Sequence, residues 1–426
     1  MSITKEQYFT YVSILKRELV PALGCTEPIA IAYAAAKARE VLGDFPDKIV
    51  AECSGNIIKN AKGVIVPTTK NLKGIEAASI IGAVGGDPLK GLEVLSNVKE
   101  EDVEETRKLL AANICETKIL ETPAKLHIII KMYKGNNYSL VETIHTHTGI
   151  VRIEKNGEVL LGVPHSVEAE EDSDINYDLL NVEDIIDFAN IVDISEVEDV
   201  LAKQIEYNSA IAKEGLRRPY GANVGATLLE VYGDDIKIRA KAMPAAGSDA
   251  RMSGCELPVV INSGSGNQGM TVSLPVVEYG RKLDCSDEKI YRALCISNLI
   301  AIYQKSGIGR LSAYCGAVSA AAGAGAGITY LYGGDLEQIS QTITNTLANV
   351  SGIICDGAKS SCAAKIASSV DAAIVATMMS LRGKAFAPGD GIVKDNIQET
   401  VDGVVRLAKE GMKETDDVVL KIMVEK

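Results

Sequence analysis

The chain is 426 residues long, more than one core usually holds, so two domains are expected. Hydrophobic residues make up 46% and charged residues 24%, the balance of a globular enzyme. A formal net charge of −13 argues against nucleic acid or an anionic membrane as the main partner.

Residues 4–42 read as two helices broken at "PALGCTEP". The opening stretch, "MSITKEQYFTYVSILKREL", is amphipathic with charges placed through it, unlike a signal peptide. From Lys48, "KIVAECSGNIIKNAKGVIVP" alternates as strand, turn and strand. After Thr68 and Thr69 comes "GIEAASIIGAVGG", a short helix closed by glycines, and later a charged helix, "KEEDVEETRKLLAAN". Residues 124–161 are rich in Ile, Val and Thr and carry "KGNN" and "KNGE" at hairpin spacing, which predicts an antiparallel meander. The acidic stretch 166–182 is expected to be a surface linker.

From Glu183 onward the pattern is mainly helical, over 183–190, 195–215, 223–230, 268–281, 286–306, 312–330, 335–350, 358–381 and 397–411. The fold class is therefore α+β. A mainly helical catalytic domain, 183–426, follows an N-terminal α/β part, 1–182, that contains the strand meander. The run from Leu311 to Gly333 is long enough to cross a bilayer, but its Ala and Gly content and sparse basic flanks predict a buried core helix. Between the helices, Ala242–Gly269 is the longest non-helical piece, and long loops in compact domains are often functional.

Nine cysteines, an odd number without scaffold-like spacing, argue against a disulfide framework. A reducing cytoplasm is the expected location, where thiols are free or bind metal. In "SGIICDGAKSSCAAK", Cys355 and Cys362 are seven apart. In one continuous helix they would stand about 10.5 Å apart along the axis. Asp356-Gly357 permits a bend, which would leave Cys355 in a loop and Cys362 in the first turns of the next helix. "GCTEP" puts Cys25 just before a helix, where a thiol can have a lowered pKa. "NSGSGNQG" offers successive backbone N–H groups at a helix start, a cradle for an anion. Ser263, Ser265 and Asn267 are its candidates for holding a carboxylate, with Lys59 and Asn60 of "IIKNAKG" as weaker ones. The "HTH" of His145 and His147 would share a strand face, either as a metal site or as two exposed residues.

Six stretches together resemble the L-cysteine desulfidase family: "PALGCTEPIA", "SGNIIKNAKGVIVP", "GDPLKGLEVL", "SGSGNQGM", "GIICDGAKSSCAAK" and "GDGIVKDNIQETVDGVVRLAKEGMKETD". That family is related to the catalytic α-chain of the iron–sulfur L-serine dehydratases. The resemblance runs from Pro21 to about Asp417 and implies a [4Fe–4S] cluster on Cys315, Cys355 and Cys362. Cys25 matches the family's reactive cysteine, as proton-abstracting base or as fourth iron ligand. The implied activity is a lyase that breaks L-cysteine into pyruvate, ammonia and sulfide. L-serine dehydration is the alternative with the same cluster. Two further alternatives are a pyridoxal-phosphate lyase using Lys359 or Lys241, and a non-enzymatic sensor with four protein ligands. The expected partner is a small amino acid, with a homodimer as an open option.

Overall fold

The computed structural model describes residues 3–167, 175–309 and 311–424. The architecture is α+β and mainly helical. Its strands are β1 (Pro21–Leu23), β2 (Lys48–Cys53), β3 (Cys115–Ile119), β4 (His127–Lys134), β5 (Asn137–Ile144), β6 (Ile150–Lys155), β7 (Glu158–Gly162) and β8 (Pro258–Val260). Six form one sheet in the order β3-β2-β4-β5-β6-β7. Strands β2 and β3 run parallel, and every other neighbouring pair is antiparallel. The meander thus forms as β4 to β7. At its third turn both Asn156 (φ 51°) and Gly157 (φ 86°) are left-handed, the geometry a tight two-residue hairpin requires.

Two principal cores result. One joins the apolar face of the sheet to the helices Thr26–Leu42 and Gly74–Gly85, through Ile29, Ile80, Ile130 and Val141. The other is helical and centres on Gly316–Leu331, the Ala- and Gly-rich run, which is buried along nearly its whole length. The first helix, Lys5–Glu18, packs into this second core through Tyr11, Ile14 and Leu15. Among the described residues one helix, Cys362–Ser380, is long and apolar enough to cross a membrane, and its Ile366, Val370 and Ala373 are buried in the helical core.

Several sequence expectations need correction. "GNIIKNA" is a helix, Gly55–Ala61, because Ile57, Ile58 and Ala61 recur at helical spacing on its buried side. The supposed loop 242–269 begins as the end of a helix, Ile236–Met252, which runs through Pro244. Its many small residues serve close packing, since Ala242, Ala245 and Ala246 are fully buried. His145 and His147 lie past the end of β5, not on a strand, and both are buried. Of the acidic stretch, 168–174 lie outside the described residues. Its C-terminal end is docked: Tyr11 Oη donates to Leu179 O at 2.6 Å and Tyr177 Oη to Glu18 Oε1 at 2.6 Å.

A last helix, Lys413–Val424, follows the anticipated 397–411 segment. Its Asp416 pairs with Lys59, which is only 1% exposed. Removing one partner of a buried pair leaves an uncompensated charge. Asp416→Asn should therefore lower unfolding stability by about 3 kcal/mol, read as a drop in the urea midpoint; an unchanged midpoint would show that Lys59 needs no counter-charge.

Candidate active site

Two short ladders build the site. Antiparallel pairing of β1 with β8 sets the turn "GCTEP" beside the turn "NSGSGNQG". Thr26 Oγ1 lies 3.0 Å from Gly264 O, and Arg251 Nε donates to Gly24 O at 3.0 Å, so the two turns are stitched together. Gly24 must be left-handed here (φ 64°), and a Cβ on it would meet Pro67 Cγ at 2.0 Å. Cys25 then starts the helix Thr26–Leu42 in extended conformation.

The second ladder joins the strap before Gly316–Leu331 to the loop before Cys362–Ser380. Cys355 N donates to Ala313 O at 2.6 Å, and Cys315 N donates to Ile353 O at 3.1 Å. Gly357 then turns with φ 89°, against the carbonyl of Lys59, which a Cβ would meet at 2.5 Å. The bend leaves Cys355 outside any helix and Cys362 as the first residue of its helix. An ion pair between Asp356 and Lys365 closes the loop across its base.

One cavity of about 100 Å³ is lined by Cys25, Cys315, Cys355 and Cys362. Ser265, Asn267 and Asn60 line it as well. Ser265 also caps the helix Gly266–Lys282 by accepting from Gln268 N at 3.4 Å. Two of the expected substrate-holding residues lie elsewhere. Lys59 points away to Asp416 and lines a separate 410 Å³ cavity. Ser263 is buried, with its hydroxyl on Asn262 Oδ1 at 3.0 Å. The cavity also holds residues that sequence reasoning missed, chiefly Arg251, Glu27 and Gln268. Arg251 was hidden in a segment read as loop, and nothing in "DARMSG" signals a buried guanidinium.

The remaining cysteines are dispersed. Cys53 sits in the sheet core, Cys295 in the helical core and Cys255 in a third, smaller one. Of the lysines considered for a Schiff base, Lys241 pairs with Asp371 at 2.6 Å and does not line the cavity. Lys359 donates to the carbonyls of Lys59 (3.2 Å) and Ala358 (3.3 Å).

Burial dominates the electrostatics. It pushes the Cys25 thiol up to about 12, against the favourable charge of Arg251 and reinforced by Glu27 and Cys362. The depression expected at a helix start is thus reversed, because the thiol is 2% exposed and the desolvation outweighs the dipole. Burial also pushes Cys315 up to about 12, and a charge on Cys355 or Cys362 would raise it further. Cys315 and Cys362 therefore both respond to charge on their neighbouring thiols. Among the described residues no three His, Cys, Asp or Glu side chains are disposed to hold a single ion. Three thiols lining one cavity are the donor type that iron–sulfur clusters take.

A family model described as serine dehydratase alpha chain matches residues 89–421. A UPF0597 protein of Lachnoclostridium phytofermentans is 72% identical, over 98% of this chain and 99% of that protein. UPF0597 proteins of Treponema denticola (51%, over 99% of both chains) and Finegoldia magna (51%, over 98% and 99%) are similar along their whole length.

The raised thiols have a consequence for stability. Cys25 and Cys295 ordinarily titrate at 9.0 and are held near 12 in the fold by burial. Above pH 9.0 the unfolded chain releases protons that the folded chain keeps, so stability falls as pH rises toward about 12. Each thiol contributes about 1.4 kcal/mol per pH unit over that window. Urea midpoints of the metal-free protein should drop across it, and drop less in Cys295→Ala; a flat profile would contradict the burial account.

Proposed function

The chain belongs to the serine dehydratase alpha-chain family, and on that premise we propose that it is an iron–sulfur lyase that breaks L-cysteine into pyruvate, ammonia and sulfide by α,β-elimination. The observation that carries this reading is the convergence on one cavity of Cys25 with Cys315, Cys355 and Cys362, three of them far apart in sequence. The last three would hold a [4Fe–4S] cluster. Such a cluster, with one iron lacking a protein thiolate, would supply a Lewis acid for the leaving sulfur.

The chain's own residues supply the rest. Cys25, as thiolate, takes the Cα proton, and the electron pair of the Cα–H bond forms the new Cα=Cβ bond as the Cβ–S pair departs with sulfur. The aminoacrylate so formed tautomerises and hydrolyses in water to pyruvate and ammonia. A thiolate whose conjugate acid titrates near 12 is scarce at neutral pH but strongly basic, which suits a weakly acidic Cα–H. Arg251 is the charge that favours that thiolate. Ser265 and Asn267 stand at the helix start where a substrate carboxylate could be held. L-serine dehydration remains the second reading, because the same base and donor set serve a hydroxyl leaving group. Nine free thiols suit a reducing cytoplasm.

Anaerobic reconstitution with iron and sulfide, followed by parallel assays for sulfide from L-cysteine and pyruvate from L-serine, tests the activity. Cys315→Ser, Cys355→Ser and Cys362→Ser should each abolish iron retention, whereas Cys53→Ser and Cys285→Ser should not. Cys25→Ser should keep iron and substrate binding but lose about 10²–10⁴-fold in turnover, together with exchange of the Cα proton into deuterated water. Exchange at the parental rate would remove Cys25 from the role of base.

A further inference from the structure

The stretch "CDGAKSSCAAK" carries two lysines beside its two cysteines, and the fold treats them differently. Lys365 pairs with Asp356 across the base of the loop, so those two charges cancel locally. Lys359 forms no ion pair among the described residues. Its ammonium donates only to the carbonyls of Lys59 (3.2 Å) and Ala358 (3.3 Å), both neutral. Lys359 is half-buried, and that burial works against its charged form. A cation held in such a place without a carboxylate is costly unless something else supplies negative charge.

The groups whose negative charge favours the Lys359 ammonium are Cys25, Asp356, Cys362 and Cys355. Asp356 is committed to Lys365, which leaves the three sulfurs. A cysteine that ligates iron does so as thiolate, so loading the site supplies the charge that Lys359 lacks. The remaining ionisable groups here, Arg251, Glu27 and Lys305, line the cavity itself. Lys359 does not. Its Nζ lies past the end of the helix Gly55–Ala61, where a Cβ on Gly63 would meet it at 3.7 Å. It therefore acts on what the thiols hold rather than on the substrate. Its backbone adds to this, because Lys359 N donates to Cys362 Sγ at 3.4 Å. Net charge and hydrogen bonds to sulfur are two of the levers that set the reduction potential of a cluster.

We propose that the Lys359 ammonium is the counter-charge of the thiolate-bound cluster and raises its reduction potential. The proposal rests on the cluster of the lyase reading and goes beyond it, by giving a residue outside the cavity control of the cluster's electrons. An added electron makes the cluster more negative, and a nearby cation favours that state. The same cation opposes removal of an electron. A plainer role would be structural: a cation at the end of Gly55–Ala61 satisfies the carbonyls there. The two roles differ in what they require, since capping needs N–H donors and the electrostatic role needs the charge.

The test is a potentiometric titration of the full chain, reconstituted anaerobically with iron and sulfide and followed by electron paramagnetic resonance. Dithionite gives up the electron and the cluster takes it. Lys359→Gln keeps N–H donors and loses the charge. It should hold the parental amount of iron, while its ratio of reduced to oxidised cluster at a given potential falls at least about tenfold, a midpoint lower by about 59 mV for one electron. Lys359→Arg should return the midpoint to the parental value. Asp356→Asn should raise it, because Lys365 then loses its partner. Shifts of opposite sign cannot both come from damage to the fold. If Lys359→Gln holds no iron, Asp356→Asn decides alone, and a midpoint that stays or falls there overturns the proposal. A parental midpoint in Lys359→Gln with full iron would leave Lys359 as a cap only. That result alongside turnover of L-cysteine or L-serine would sink the proposal and leave the lyase reading standing. The predicted shifts with neither amino acid cleaved would do the reverse, and a parent chain that takes up no cluster would overturn both.

Discussion

Everything at the site depends on two short backbone ladders. The pairing of β1 with β8 brings residue 25 to residue 265. The hydrogen bonds between residues 313–315 and 353–355 bring Cys315 to Cys355. Neither ladder is long enough to be stable alone. Each is held by what flanks it: the helical core under Gly316–Leu331, and the Arg251 and Thr26 contacts that tie the two turns. The site is therefore a product of tertiary packing rather than of any one motif.

That packing sets the chemistry through desolvation. The same burial that gathers four thiols also keeps Cys25, Cys315 and Cys362 protonated in the metal-free protein. It also buries Arg251 and Glu27 in the same space, neither in an ion pair among the described residues. A cavity built this way is poor in resting stability and rich in groups that gain from an incoming ligand, as expected where stability has been traded for function. Lys59, by contrast, is equally buried but satisfied by Asp416, and it plays a structural part.

Much of this was legible in the sequence where local signals carry it. The bend at Asp356-Gly357 could be read because only a glycine turn lets residues seven apart face one space. The meander could be read because its turn residues and β-branched pattern agree. What was illegible is long-range. The segment around Arg251 looked like loop because Gly, Ser and Pro usually break helices, yet in Ile236–Met252 the small residues serve close packing and Pro244 is tolerated inside. The Cys25 pKa was misjudged because a helix start is local information and burial is not. Ser263 looked equivalent to Ser265, but a left-handed backbone (φ 49°) turns it to Asn262.

The central claim is that Cys315, Cys355 and Cys362 hold a cluster with one iron left open to the substrate. The most direct measurement is Mössbauer spectroscopy of protein reconstituted anaerobically with iron-57, before and after addition of L-cysteine. The account predicts cluster iron in which one site in every four shifts when L-cysteine is added while the other three stay unchanged. A spectrum of isolated mononuclear iron, or of a cluster in which no site responds to L-cysteine, would contradict it.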